Sequence, residues 1–358
     1  TNSSDSYLLK IKFRTLGSNK AKSQIFNVLG TQQLAADNVQ ASSLSSDVLN
    51  PYPDLLEYNS DLKTLSFVGD NIKIKDTLYI PDGFDLIFKP GLSLEFMRGA
   101  SLISYSPITI KGNLLNRVSL YGSNTSSIIV LNAHSPSLIQ HADFLGFGTI
   151  NHPKITVTGA VTFFNSEVTV SNSSFMKNSS EDSLNIFRSK FSLKDVLFEE
   201  SKSDALDVDF SNGTISNARF SIIGNDAMDF SGSNVEINGS TVSRVLDKVI
   251  SAGENSNLRI KNLNLISSSV GITSKDSSIV FAENINFKHI DVCLATFNKK
   301  PFFDGGQIIM DKYPYGCNVP YLAEKSSSLE IDNILIKPNS NDVESLMYGR
   351  KFGRATQK

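Results

Sequence analysis

The chain has no tryptophan, two cysteines and four histidines among its 358 residues. Two thiols, Cys293 and Cys317, are too few for a disulfide scaffold or a four-thiolate metal site. They could close one loop in an oxidising compartment, or stay as free buried thiols. His134, His141, His152 and His289 are scattered without ligand spacing and read as ordinary surface or satisfied side chains. No apolar run is long enough to cross a bilayer as a helix. Neither charge sign is in excess: 34 Lys+Arg against 36 Asp+Glu leave −2. That balance excludes a strongly basic nucleic-acid binder and an acidic solvating tail. A Gly-rich phosphate loop, H-E-x-x-H and G-x-S-x-G are all missing, so nucleotide, zinc-protease and serine-hydrolase readings have no support.

Short polar residues fill the space instead: 52 Ser and 32 Asn, close to a quarter of the chain, beside 23 Phe and an apolar share of 40%. That apolar share can bury a sizeable core and argues against bulk disorder. Abundant Ser and Asn imply many turns and few long helices. The length is more than twice a typical domain, which points to two domains or one elongated one. The chain opens at Thr1 with no basic-then-apolar leader, which fits a mature secreted product and an excised fragment equally well.

Internal repetition decides the fold. Leu184, Leu206, Met228, Ile250, Ile272 and Leu294 are each separated by 22 residues. Leu193, Ile215, Ile237, Ile260 and Ala282 keep the same step with one slip to 23, and Phe198, Phe220, Val242, Leu265 and Phe287 do likewise. Within each period apolar residues alternate, as in Leu206-Asp207-Val208 and Val235-Glu236-Ile237, which is the period of a strand. Each repeat therefore holds about three short strands separated by Ser/Asn/Gly turns. One such unit cannot bury its apolar face alone; stacked in parallel at about 4.8 Å it can. The fold predicted is an all-β parallel β-helix, a solenoid of about 22 residues per coil with three strands per coil.

A weaker copy runs through 77–123, with alternation at Leu86/Phe88, Leu92/Leu94/Phe96, Ile108/Ile110 and Val118/Leu120, and turn signals at Pro-Asp-Gly and Pro-Gly. This Ile-Pro-x-Gly opening resembles the first coils of secreted right-handed parallel β-helix proteins of the pectate-lyase-like superfold. The stretch 203–233, SDALDVDFSNGTISNARFSIIGNDAMDFSGS, resembles their central coils. The run ISAGENSNLRIKNLNLISSSVGITSKDSS with NKKPFF after it is similar to bacterial β-helix modules found beside CotH-type proteins. The resemblance spans about 70–335 and implies right-handed winding and a secreted or cell-surface setting. It leaves chemistry open, since that superfold includes lyases, hydrolases, uronan epimerases, tailspikes and inert adhesins.

The sequence divides into an N-terminal cap or linker (1–65), coils (66–297), an aromatic loop insertion (298–325), and a last coil with a C-terminal tail (326–358). The first segment holds an alternating stretch, Leu8 to Phe13, then a short helix predicted near 20–38 and a Ser-rich linker. Capping of exposed sheet ends is the simplest use for it.

Aligning coils by the repeat turns sequence columns into ladders. With Leu206 and Val208 inward, Asp207 and Asp209 point outward, and Asp229 joins the column of Asp207 one coil on. Asp204 and Asp226 share another column, continued by Lys248 beside Asp247. Carboxylates about 5 Å apart repel, so a pKa rises or a cation binds. Asp204, Asp207, Asp226 and Asp229 are thus candidates for Ca²⁺. Asp207 and Asp229 are candidates for acid/base catalysis on a glycan, with Lys248 neutralising substrate charge and Lys248 or Lys275 as base for β-elimination. Asp209, Lys299, Lys300 and the loop aromatics Tyr313 and Tyr315 are candidate substrate contacts. Against this stands a bland alternative, that Asp at coil corners bonds the backbone of its own turn. The Asp-Asp and Gly-His-Gly elements of polygalacturonases are absent, and Arg-Ile-Lys at Arg259–Lys261 lies on an alternating strand. Six Asn-x-Ser/Thr sequons follow from composition alone. The expected partner is a polysaccharide or cell-surface glycan, not nucleic acid, with oligomerisation left open. The alternative is a non-catalytic structural or adhesive surface module.

Overall fold

The computed structural model describes residues 6–14, 21–29, 52, 54–152, 155–349 and 352. From Thr64 onward the chain winds as a parallel β-solenoid of about 12 turns with about 22 residues per turn. One coil shows the plan: Asp204–Asp209, Asn212–Ser216 and Arg219–Ile223 lie on three successive faces, called here faces one, two and three. Face one is an eleven-stranded sheet; faces two and three join because Asn257–Ile266 and Ile279–Lys288 run unbroken through the corner between them. At about 4.8 Å per rung, face one is roughly 50 Å long.

The apolar columns of the sequence are the inner columns of the solenoid. Leu184, Leu206, Met228, Ile250, Ile272 and Leu294 are register partners in turn. The Leu193–Ala282 series and the Phe198–Phe287 series pair the same way on faces two and three. All of these side chains are buried. Phe144, Phe175, Phe198 and Phe220 stack face to face at 4.8, 5.1 and 4.8 Å, a continuous aromatic column inside face three. The slip to 23 arises at the corner after face one, where Glu254 and Asn255 both take positive φ (52° and 68°) while the previous coil turns on Gly232 alone.

The Ser and Asn content has a defined use. Ser166, Ser189, Ser211, Ser233 and Ser256 each donate a backbone N–H to the hydroxyl of the next coil's serine at 2.8–3.0 Å, ending on Ser278. These bonds satisfy buried corner amides that no strand pairing reaches. Between faces two and three the chain reverses through one left-handed residue, such as Asn172, Asn217, Asn262 or Asn284, with φ between 50° and 57°. Asn tolerates that conformation better than most residues. Stacked Asn side chains also bond each other, Asn284 donating to Asn262 at 2.7 Å.

Antiparallel hairpins close both ends: Leu56–Asn59 with Thr64–Phe67, and Ser328–Ile331 with Ile334–Leu335. They blunt edges that would otherwise invite end-to-end pairing. Two expectations change. Ala21–Leu29 is not helical but pairs antiparallel with Ser6–Arg14; 30–38 lie outside the described residues. The stretch 298–325 is not solely a loop, since Gln307–Met310 and Cys317–Ala323 extend faces two and one by a further rung. Cys293 and Cys317 are disulfide-bonded with Cα atoms 5.7 Å apart, joining that rung to the one before. The tail forms a short helix, Val343–Met347, capped by Asp342, whose carboxylate accepts the Ser345 N–H at 2.9 Å. Among the described residues no helix is long and apolar enough to cross a membrane.

Candidate functional site

The outer surface of face one is covered at both ends and open in the middle. Toward the N-terminal end, Ile103 and Ile129 pack under Ile150, with Ile155 and Val157 against them. Toward the C-terminal end, Val270, Val292, Ala295 and Phe297 pack under Val343, Met347 and Phe352 of the returning tail. Between the two coverings the outward side chains of Phe164, Phe187, Asp207, Asp209, Asp229 and Ser231 are partly exposed.

Strand register fixes how these groups meet. Asn185, Asp207, Asp229 and Ser251 are consecutive partners in one column, and Phe187, Asp209 and Ser231 in the next. Asn185 donates its amide to Asp207 Oδ2 at 3.0 Å. Asp229 accepts the Phe230 N–H at 3.0 Å and lies 3.9 Å from the Lys275 ammonium. Lys275 is buried and donates to Ser251 Oγ at 2.6 Å. The sequence therefore places Asp207, Asp209, Asp229 and Lys275 together, because alternation sets which residues point out and the repeat sets who stands beside whom.

The crowding shows in protonation. Burial, and then the charges of Asp182, Asp209 and Asp229, push the Asp207 carboxyl well above its ordinary range. Asp209 rises to about 6, through burial and the charge of Asp229, and is held back by hydrogen bonds from Asn185 and Asp207 and by the charge of Lys300. A raised Asp207 beside a less perturbed neighbour is the environment that separates a proton donor from a carboxylate.

Other expected members of the site serve the corner instead. Asp204 Oδ1 accepts the Asp226 N–H at 2.8 Å and the Asn225 amide at 2.6 Å, and Asp226 Oδ1 accepts the Lys248 N–H at 2.8 Å. Burial and the charges of Asp226 and Asp229 raise Asp204 to about 9; Asp226 rises to about 6, burial outweighing Lys248. Lys248 cannot act as a substrate-facing cation or base: it is 2% exposed, its ammonium 2.8 Å from Asp247 Oδ2 and 3.5 Å from Asp226 Oδ1. Burial lowers its pKa, but Asp226 and Asp247 more than offset that and hold the ammonium charged. The Ca²⁺ set fails for the same reason. Asp204 and Asp226 each commit Oδ1 to a backbone amide, and among the described residues no three acidic, imidazole or thiol groups converge at ligand spacing.

The remaining candidates scatter. The amides of Lys299 and Lys300 donate to Asp276 Oδ1 at 2.8 and 2.7 Å; the Lys300 ammonium pairs with Glu254, and that of Lys299 lies 4.4 Å from the Tyr348 ring centre. Only Lys300 bears electrostatically on Asp209. Tyr313 and Tyr315 pack against each other, 5.5 Å between centroids, in the loop before the Cys317 strand. Following the column from Asp207 through Asp229, Ser251, Thr273 and Ala295 to Leu322, that strand lies five rungs away. Sequence reasoning missed the aromatics beside the acids: Phe164 and Phe187 stack at 4.8 Å with 3° between planes, and Phe187 pairs in register with Asp209. Their step of 23 carried the signal.

No family model matches the chain, and no curated protein does. Among solved structures, the Dettilon tailspike protein is similar at 12% identity and a TM-score of 0.50, over 75% of this chain and 61% of the tailspike chain. The catalytic domain of a GH87 alpha-1,3-glucanase in complex with nigerose gives 12% identity and a TM-score of 0.37, over 77% and 69%. This chain thus spans about three fifths of the length of that tailspike. At 12% identity the likeness to that tailspike is one of fold alone.

Proposed function

We propose that this is a secreted or cell-surface protein that binds a polysaccharide along the open stretch of face one and hydrolyses a glycosidic bond there. One observation carries the reading: Asp207 and Asp229, register partners on adjacent rungs, lie in the outward stretch of face one between the two coverings. Asp207, kept protonated by burial and neighbouring carboxylates, gives its proton to the leaving oxygen. Asp229, against Lys275, is the carboxylate partner that attacks the anomeric carbon, and Asp207, its proton given up, then activates the water that releases the sugar; Asp209 supports the proton balance through its hydrogen bond to Asp207. Rungs about 4.8 Å apart sit near the roughly 5 Å separation of retaining pairs. Lyase or epimerase chemistry fits less well. It needs a base and a cation in contact with substrate, and both Lys248 and Lys275 are buried.

A second reading, binding without turnover, is favoured by the position of a cavity of about 570 Å³, which lies at the corner beside the aspartates and is lined by none of them. A screen of glycans for reducing-end release separates the two. Hydrolysis that falls by about 10³-fold in both Asp207→Asn and Asp229→Asn supports the catalytic pair. Binding with no turnover by the unaltered protein establishes the adhesive reading, and turnover untouched by both substitutions refutes the assignment.

A further inference from the structure

The corner cavity is a trough between faces one and two, lined by His134, Asn165, Glu167, Arg188, Lys190 and Phe210. It opens directly off the aspartate stretch, since Phe210 follows Asp209 in the chain and Phe187 is the register partner of Asp209. Phe210 is the aromatic residue of its lining, and Phe187 and Phe164 continue from that ring along the open stretch of face one. Phe164 stacks on Phe187 at 4.8 Å, and Phe210 meets Phe187 edge-on at 5.8 Å and 76°. All three rings are partly exposed, and such rings offer apolar surface to one face of a sugar.

The cations of the trough are not equivalent. Lys190 pairs with Glu167 at 3.7 Å, and His134 faces Asp82 at 3.0 Å and Asp85 at 3.8 Å. Arg188 is exposed, its guanidinium lies 5.2 Å from the centre of the Phe187 ring, and it makes no ion pair with any described carboxylate. A guanidinium held over an aromatic ring keeps donors free for a carboxylate.

We propose that this trough is a subsite for an acidic sugar unit, a uronate whose carboxylate is bound by Arg188 while its ring rests on the phenylalanine edges. The proposal rests on the glycan-binding reading and narrows it. The aspartate stretch repels an anion, so the reacting unit is neutral and the uronate lies further along the same chain. The ligand class is therefore a mixed glycan, not a polyuronate and not a purely neutral polymer. The trough also fixes direction, because only one orientation of such a chain puts the acid at Arg188 and a neutral linkage at Asp207.

Titration calorimetry of the full chain with two matched oligosaccharides, one neutral and one carrying a single glucuronate, reads the preference. The uronate form is expected to bind at least about tenfold tighter, the effect of one charge-assisted pair. Arg188→Gln should abolish the difference and Arg188→Lys restore part of it; Arg188 is exposed, and an unchanged melting temperature in both variants confirms an intact fold. Equal affinities, or a preference that survives Arg188→Gln, overturn the trough assignment while leaving the aspartate reading standing if the neutral sugar is bound. Failure of both sugars to bind overturns the two together.

Discussion

Replacing Asp204 by Asn isolates one rung of the acidic ladder without breaking its hydrogen bonds. The carboxyl accepts the Asp226 N–H and the Asn225 amide through Oδ1, which an asparagine oxygen can do equally well. What the substitution removes is ionisation. Asp204 titrates at about 9 in the folded chain, against an ordinary value of 3.8, because it is buried and faces Asp226 and Asp229. A folded pKa above the unfolded one means that the native state keeps a proton the unfolded chain gives up. The associated stability is complete below pH 4 and drains away as pH rises toward 9. Across that window the difference is close to one proton, so from pH 5 to pH 7 stability falls by about 3 kcal/mol from this group alone. Groups of opposite behaviour do not mask the slope. Asp143, held low by its Arg117 pair against the cost of burial, loses its contribution only as pH falls below the ordinary carboxylate range. Lys248 and Lys275, both raised, lose theirs only above the ordinary lysine value of 10.5. Urea titrations at pH 5, 6, 7 and 8 read the slope. The unaltered protein should lose stability steadily across the series, and Asp204→Asn should lose distinctly less and exceed it at pH 8. Parallel curves for the two proteins would refute the argument that repulsion within the ladder is stored as native-state protonation.

Two further predictions test the scaffold. Phe198 is fully buried and stacked on both Phe175 and Phe220, so Phe198→Ala should cost about 3–5 kcal/mol in denaturant titration; a loss below 1 kcal/mol would mean that the aromatic column collapses to refill the gap. Ile222 is β-branched, 43% exposed and held at φ 60°, so Ile222→Asn should raise stability by about 1 kcal/mol, and a decrease would show that its side chain contributes packing that exposure hides.

The columns were readable because two periods coincide. Alternation tells which side of the strand a residue occupies, and the 22-residue step tells its neighbour one rung on; together they gave Asp207 beside Asp229. Lys248 was misjudged for a reason neither period contains. Its column continues into Val270 and Val292, and a tail from far down the chain folds over that continuation. Tyr348 of the same tail places its ring 5.0 Å from the Lys248 ammonium. A five-residue helix with buried Val343 and Met347 has too few turns to announce an amphipathic face. Aromatics were sought in the loop holding Tyr313 and Tyr315, where composition is conspicuous. The pair beside the acids, Phe164 and Phe187, lies outside the three 22-residue columns, and its single step of 23 is too short a series to stand out among 23 Phe.

A solenoid suits carboxylate chemistry because its rungs cannot move apart. On a flexible loop, Asp207, Asp209 and Asp229 would relieve their repulsion by turning into water. Here each sits on a strand hydrogen-bonded on both sides, above inner residues Leu206, Val208, Met228 and Phe230 that are fully buried. Moving one carboxylate away means breaking a ladder or opening the core, at several kcal/mol. Taking up a proton costs less, so the repulsion is expressed as an acid at Asp207 instead of as disorder. The two coverings of face one sharpen this by shielding the rungs on either side, and the perturbed acids and the partly exposed Phe164 and Phe187 coincide in the stretch between them.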